Sequence, residues 1–150
     1  MSHQETVGNL EEAVGYVLKQ TAAALRAAMD AALRPLGLTV PQYACLELLG
    51  QRPGLSNADL ARGAFVSRQA MNVVLRGLQD RGLVTRPDAA PRGRALPTEL
   101  TAAGRERLRA ASTAVQAVQG QMLSALPSNS QRRLREDLAT CTASLTTRHR

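Results

Sequence analysis

Hydrophobic side chains recur at steps of three and four residues along most of the chain, a spacing that predicts amphipathic α-helices. Pro35 and Gly37 interrupt the first repeat, and the stretch LPSNSQ interrupts the last one. Two pairs have the spacing of a capping box: Thr39 with Gln42, which predicts the start of the second helix, and Ser128 with Gln131, which predicts the start of the final helix. The repeats predict four long helices, at 9–34, about 40–50, about 102–124 and about 130–146.

Two helices are also predicted in the centre of the chain, close together. Ser56, followed three residues later by Asp59, predicts a helix over 57–64. Ser67 predicts the N-cap of the next helix, which Gly82 is expected to end at about residue 81. Two helices joined by a turn of three or four residues form a helix-turn-helix. The apolar positions that join the pair are Leu60, Val66, Met71, Val74, Leu75 and Leu78.

The pattern after this pair changes to two short strands, 83–87 and 96–100, separated by a polar tip. Pro97 confines the second strand to an edge, so the strands form a two-stranded wing. The predicted fold class is therefore mainly α (α+β), with a winged helix-turn-helix core over 39–100 inside one domain, 1–150.

The long flanking helices, 9–34 and 102–146, carry apolar positions that this core does not need. A core of roughly 60 residues is itself small. The economical way to bury these positions is against a second copy of the chain, so we interpret both segments as dimerisation helices of a homodimer. The alternative is that they pack on the winged core of a monomer.

Positive charge is concentrated in the same central part of the chain. The net charge is +7, and Lys19 is the only lysine among 19 basic residues. Residues 1–65 sum to −1, residues 66–110 to +5 and residues 111–150 to +3. Arginine suits phosphates and guanine edges, so this distribution favours double-stranded DNA as a partner. GC-rich coding also raises alanine and arginine together, so the location of the charge is more informative than its total.

Several classes of protein are disfavoured by the sequence. No apolar run approaches the ~18 residues of a membrane span, and the N-terminal stretch MSHQETVGNLEE does not have the pattern of a signal peptide. The only histidines, His3 and His149, stand at opposite ends, and Cys45 and Cys141 are isolated. We therefore predict a cytoplasmic protein that is not an enzyme and uses no metal and no cofactor.

Three segments together resemble a known family: GLTVPQYACLELL, GLSNADLARGAFVSRQAMNVVLRGLQDRGLVTRP and GRALPTELTAAG. In this order and spacing they resemble the MarR (multiple antibiotic resistance regulator) family of winged helix-turn-helix transcription factors. The resemblance covers roughly residues 36–109. It implies a homodimeric, sequence-specific transcriptional regulator, most often a repressor, that binds a pseudo-palindromic duplex. The helix 67–81 would enter the major groove, and the wing tip would approach the minor groove.

The outward positions of this helix are the predicted DNA contacts, because the apolar positions turn inward. Arg68 can pair with guanine, and Gln69 or Asn72 with adenine. Val73 can meet a thymine methyl group. Contacts to phosphate are expected from Ser67, with the first amide groups of the helix, and from Arg76. The whole set is Ser67, Arg68, Gln69, Asn72, Val73 and Arg76.

The resemblance also implies DNA contacts from the wing tip, at Arg92 and Arg94. The family often has Asp-x-Arg at this tip, and Arg92 stands where that aspartate is expected. The change adds positive charge and leaves open what holds the tip; Asp88 is a candidate substitute.

Many members of this family bind a small effector between the dimerisation helices and the winged unit. The resemblance therefore implies an aromatic or lipophilic effector, with Tyr16 and Tyr43 as candidate pocket residues. One branch of the family senses oxidants through a cysteine in its first helix, where this chain has none, so redox gating through Cys45 is a weaker alternative. A winged helix used only for protein–protein assembly is another.

Overall fold

A computed structural model of the chain describes residues 9–86 and 97–146. Six α-helices and one two-stranded antiparallel sheet occupy these ranges, which confirms the predicted fold class. The helices are α1 (Val14–Leu33), α2 (Val40–Gln51), α3 (Asn57–Ala64), α4 (Arg68–Asp80), α5 (Ala102–Leu123) and α6 (Ser128–Thr146). The strands are β1 (Val84–Thr85) and β2 (Glu99–Leu100), and 3-10 turns lie at Leu10–Glu12 and Arg34–Leu36.

Helices α2, α3 and α4 begin where a side chain accepts a hydrogen bond from an amide group of the first turn. Thr39 accepts a hydrogen bond from the Gln42 amide at 3.2 Å, and the Gln42 side chain accepts one from the Thr39 amide at 3.0 Å. Ser56 and Asp59 form the same reciprocal pair at the start of α3. Their hydrogen bonds lower the pKa of the Asp59 carboxyl group below its usual value. These two capping boxes were predicted from the sequence and are confirmed.

The predicted capping box at Ser128 is wrong. Helix α6 already begins at Ser128, one residue earlier than a cap at that position requires. The Gln131 side chain instead donates hydrogen bonds to the carbonyl oxygens of Leu123 at 3.1 Å and Leu126 at 3.0 Å. Gln131 therefore satisfies carbonyl groups at the end of α5, which a helix terminus leaves without an intrahelical partner.

The chain divides into two compact units, Met1–Val118 and Gln119–Arg150. The hydrophobic core lies in the first unit. It is formed by the inward faces of α2, α3 and α4, by the first half of α5, and by Leu83, Val84 and Leu100 at the base of the wing. Strand β1 pairs with β2 in the register Val84 to Leu100 and Thr85 to Glu99. Both strands are shorter than predicted.

The flanking helices differ in how far their apolar side chains are buried. The end of α1 and the first half of α5 contribute buried residues to the core, namely Leu33, Ala111 and Val115, whereas the start of α1 and the described part of α6 leave apolar side chains exposed. The exposed fractions on and before α1 are 50% for Leu10, 78% for Val14, 42% for Val17 and 47% for Leu18. None of the described side chains of α6 is buried. The core of the first unit therefore buries part of the flanking segments, contrary to the expectation from the sequence, and leaves the start of α1 exposed. Within the described residues, none of the helices combines the length and the apolar character needed to cross a membrane.

Candidate nucleic-acid interface

Helix α4 presents a polar face to solvent and buries its other face. Met71, Leu75 and Leu78 are each 0% exposed, because they pack into the core beside α2 and α3. All of the predicted DNA-contacting positions on this helix are exposed: Ser67, Arg68, Gln69, Asn72, Val73 and Arg76. Val73 is 68% exposed, which is unusual for a valine on a well-packed helix. The structure therefore brings the six side chains together on one surface.

The start of α4 is well placed to receive an anion. Ser67 is its N-cap, and the Ser67 hydroxyl oxygen accepts a hydrogen bond from the Ala70 amide at 3.0 Å. The other amide groups of the first turn point along the helix axis with the positive end of the helix dipole. In the described part of the chain, no carboxylate forms a salt bridge with Arg68 or Arg76. Their charges therefore remain available to an anionic partner.

The other predicted DNA contacts, Arg92 and Arg94, lie outside the described residues, as does Asp88. Their proposed roles at the wing tip remain predictions. The described base of the wing is anchored to the end of α4. Thr101 donates a hydrogen bond from its hydroxyl group to the Gly82 carbonyl oxygen at 2.6 Å, and its amide donates to the Leu83 carbonyl oxygen at 3.1 Å.

Asn57 is an interface residue that the sequence did not identify. Its side-chain amide, on the first residue of α3, donates a hydrogen bond to the Asn72 side-chain oxygen in the middle of α4. This contact orients the Asn72 side chain and leaves its NH2 group to donate outward. The Asn57 side-chain oxygen is buried and has no hydrogen-bond partner. No sequence signal links the two residues, because they are 15 positions apart and meet only when the helices pack.

A cavity of about 660 Å³ lies between α2, β2 and the first half of α5. Its wall combines two cations, Arg105 and Arg109, with the apolar side chains of Leu100 and Leu108. The Glu47 and Glu99 carboxylates lie on the same wall, and Arg109 forms a salt bridge with Glu106 at 2.7 Å. The cavity therefore offers cations, an apolar surface and a hydrogen-bond acceptor at once, a combination that suits a small aromatic acid with a polar substituent.

A hydrogen-bond network holds Glu47 in position. Its carboxylate accepts hydrogen bonds from the Ser112 hydroxyl at 2.9 Å, the Tyr43 hydroxyl at 3.3 Å and the Gln51 side-chain amide at 2.6 Å. Partial burial and then the nearby Glu47 charge raise the pKa of the Tyr43 phenol above its usual value. Neither Tyr43 nor Tyr16 lines the cavity, although Tyr43 bonds to a residue that does. The effector-binding role of the two tyrosines stays a prediction.

Comparison with known proteins identifies this architecture. A family model described as the MarR family matches residues 36–95. The HTH-type transcriptional repressor Rv2887 of Mycobacterium tuberculosis is 47% identical over 125 residues, which are 83% of this chain and 90% of the repressor. The chain belongs to the MarR family.

Solved structures of this MarR relative agree with the fold. The crystal structure of Rv2887 in complex with DNA gives a TM-score of 0.73 at 44% sequence identity and covers 85% of this chain and 96% of that chain. A crystal structure of Rv2887 with salicylic acid gives a TM-score of 0.71 at 46% identity and covers 85% of this chain and 95% of that one. The resemblance inferred from the sequence is therefore confirmed.

The environment of Cys45 does not support redox gating of this MarR protein. Cys45 is 0% exposed, and burial raises the pKa of its thiol to about 12. The reactive form of cysteine is the thiolate, which at pH 8 would be roughly one part in ten thousand at such a pKa. The other cysteine, Cys141, is exposed on α6.

We expect only one thiol per chain to react with a disulfide reagent such as DTNB in the native protein at pH 8. That thiol is Cys141, and both should react after unfolding in guanidinium. In Cys141→Ser the fast reaction should disappear, and hydrogen peroxide should leave the DNA affinity of this variant unchanged. Rapid labelling of native Cys45, or loss of DNA binding with peroxide, would contradict this expectation.

Proposed function

We propose that the chain is a homodimeric transcriptional repressor that binds a pseudo-palindromic DNA duplex and is released from it by a small aromatic acid. The observation that carries the proposal is the face of α4, where cationic and amide side chains are exposed over a back face on which Met71, Leu75 and Leu78 are fully buried. The identity to a transcriptional repressor, and the crystal structure of that repressor with DNA, support the same function.

Two copies of α4 are needed to read such a duplex. The start of α1 and helix α6 each carry exposed apolar side chains that a second copy would cover; on α6 the exposed fractions are 38% for Leu134, 41% for Leu138 and 87% for Leu145. A twofold axis would then place the two α4 helices in successive major grooves on one face of the DNA, roughly 34 Å apart.

Base and phosphate contacts divide along α4. Residues near the start of a reading helix usually reach base edges, so we assign sequence reading to Arg68, Gln69 and Asn72. The assignment of Asn72 changes in detail, because its side-chain oxygen already accepts one hydrogen bond from Asn57 and its NH2 group has no such contact with Asn57. Its NH2 group is then best matched to a base acceptor, such as N7 of a purine. Arg76, further along the helix, is assigned to a phosphate.

The cavity between α2, β2 and α5 is the proposed effector site. The guanidinium groups of Arg105 and Arg109 would hold a carboxylate, while Leu100 and Leu108 would face the aromatic ring. Glu47 would accept a hydrogen bond from a hydroxyl or amino substituent. The crystal structure of the relative Rv2887 with salicylic acid, an aromatic acid that carries a hydroxyl group, supports this class of ligand.

We expect Arg105→Gln and Arg109→Gln to weaken salicylic acid binding by roughly 10- to 100-fold each, the usual loss when a charge-assisted hydrogen bond is removed. DNA affinity without ligand should stay within threefold of the original, because the cavity is not on α4. Isothermal titration with salicylic acid measures the first quantity, and fluorescence anisotropy with duplex measures the second. Arg135→Gln, which removes an exposed charge on α6, is the matched control. An unchanged affinity for salicylic acid in both cavity variants would show that the effector site lies elsewhere.

The function itself is tested by binding to DNA. Duplexes selected from random sequence, and the region upstream of the protein's own gene, supply the specific site. We expect binding to the selected duplex to be tighter than to a scrambled duplex by at least roughly a thousandfold, and to weaken steeply between 50 and 200 mM salt. An assembly module would show equal, weak and salt-insensitive binding to both, which would refute the proposal.

A further inference from the structure

Phe65 has a backbone conformation that a bulky residue rarely adopts. It ends α3 with φ 60° and ψ 41°, in the left-handed region. Among the described residues, the others with positive φ are all glycines: Gly37, Gly54 and Gly82. The left-handed region is unfavourable for residues with a Cβ, and glycine or asparagine normally occupies such a helix end.

The free-energy cost of this backbone conformation is not offset by burial of the Phe65 side chain. Its side chain is 92% exposed, whereas the next residue, Val66, is half-buried against the core. The isolated chain therefore gains neither backbone stability nor hydrophobic stability from a phenylalanine here. An unfavourable conformation of this kind, kept at an exposed position, points to a contact that is made only when a partner is bound.

The charge around Phe65 indicates what that partner is. The side chain stands two residues before Ser67, the N-cap of α4, and three before the unpaired cation Arg68. Arg62, three residues earlier, forms a salt bridge with Asp59 at 2.5 Å, so Arg68 supplies the uncompensated charge. A second copy of this chain would bring the same cations against each other. An anionic surface that also offers apolar groups is the better complement.

The depth of the major groove indicates which part of the DNA the Phe65 side chain can reach. Two residues of chain span at most roughly 7 Å, and the major groove is about 8.5 Å deep. When the first turn of α4 reaches the base edges, the exposed Phe65 side chain, two residues before the N-cap, is therefore within reach of the groove wall. That wall consists of phosphates and of deoxyribose rings, whose carbon atoms form an apolar surface.

We propose that the Phe65 ring packs against the deoxyribose wall of the major groove, beside the phosphate bound at the start of α4. This inference rests on the proposed function, and it adds an apolar backbone contact to the polar contacts of α4. Such a contact has no base specificity and carries no charge. It should therefore affect affinity for every duplex, without changing sequence preference or salt dependence.

The test uses the full-length chain with Phe65→Gly and Phe65→Asn, which remove the ring and suit the left-handed backbone. We expect affinity for both the selected and the scrambled duplex to fall by a similar factor, roughly 10- to 100-fold for a dimer with two copies. The ratio of the two affinities and the slope of log K against log salt should not change. The Tm of Phe65→Gly should be equal or higher, by up to roughly 4 °C. Phe65→Tyr should retain most of the affinity.

Stability and binding that change in opposite directions cannot result from misfolding, so this combination would support the contact. Unchanged affinity in both variants, with normal specific binding by the original protein, would overturn this inference alone. A lower Tm in Phe65→Gly would also overturn it, because the ring would then be part of the fold. A changed oligomeric state by analytical ultracentrifugation would overturn it in favour of a second copy. Failure of the original protein to bind any duplex would overturn the proposed function as well.

Discussion

Gly104→Ala is expected to lower the free energy of unfolding by more than about 3 kcal/mol, the largest stability effect that the structure implies. A Cβ built on Gly104 would lie 2.0 Å from the Leu83 carbonyl oxygen and 3.0 Å from the Leu83 carbonyl carbon. These are backbone atoms, and Leu83 is itself buried. The same oxygen accepts the hydrogen bond from the Thr101 amide, so α5 would have to move away from the wing.

Gly120→Ala is the matched control for this prediction, because it lies on the same helix with nothing within 4 Å of its ideal Cβ position. Alanine is the better helix former, so Gly120→Ala should raise stability by about 0.5–1 kcal/mol. Denaturation with urea, followed by circular dichroism, measures both variants. A Gly104→Ala protein as stable as the original would mean that α5 does not approach β1 as closely as described.

Arg68→Ala is expected to have the largest effect on DNA recognition. Loss of a bidentate contact to guanine should cost ~1–3 kcal/mol at one base pair in each half-site. A dimer loses two such contacts, so affinity for the selected duplex should fall by roughly 5- to 150-fold for each copy. Affinity for scrambled DNA should fall much less, because only the attraction of one charge to phosphate is lost. The variant should also tolerate substitution of the contacted base pair.

A panel of duplexes with single base-pair changes, measured by fluorescence anisotropy, maps this preference. Arg135→Ala removes the same charge from α6 and should leave the preference intact. An equal loss on selected and scrambled duplexes would assign Arg68 to a phosphate instead of a base. The three kinds of contact are then distinguishable, since Arg68→Ala changes sequence preference, loss of a phosphate contact changes the salt slope, and loss of the Phe65 ring changes neither.

The features that the sequence predicted correctly are those with local causes. Thr39, Ser56 and Ser67 cap their helices because each hydroxyl oxygen can reach the amide group three residues further along the chain. The inward side of α4 follows from helical periodicity, since Met71, Leu75 and Leu78 recur at steps of three and four. The capping box at Ser128 failed because Gln131, which has the correct spacing, donates its side-chain amide to carbonyl groups of its own unit, whereas a capping box would have its side-chain oxygen accept from the Ser128 amide.

The features that the sequence did not predict depend on distant parts of the chain. Asn57 and Asn72 meet across two helices, and Glu47 and Ser112, 65 positions apart, meet at the cavity wall. Spacing along the chain carries no information about such pairs. The tyrosines were chosen as pocket residues for their chemical type, whereas the cavity forms where α2, β2 and α5 leave space between them.

The sequence by itself determined the helical periods, the caps, the helix-turn-helix order and the cationic face of α4, because each depends on residues within a few positions of one another. The tertiary structure alone decided that Gly104 has no room for a side chain and that Phe65 is exposed in a left-handed conformation. Exposure and close approach are properties of how helices pack, and packing joins residues that the chain order separates.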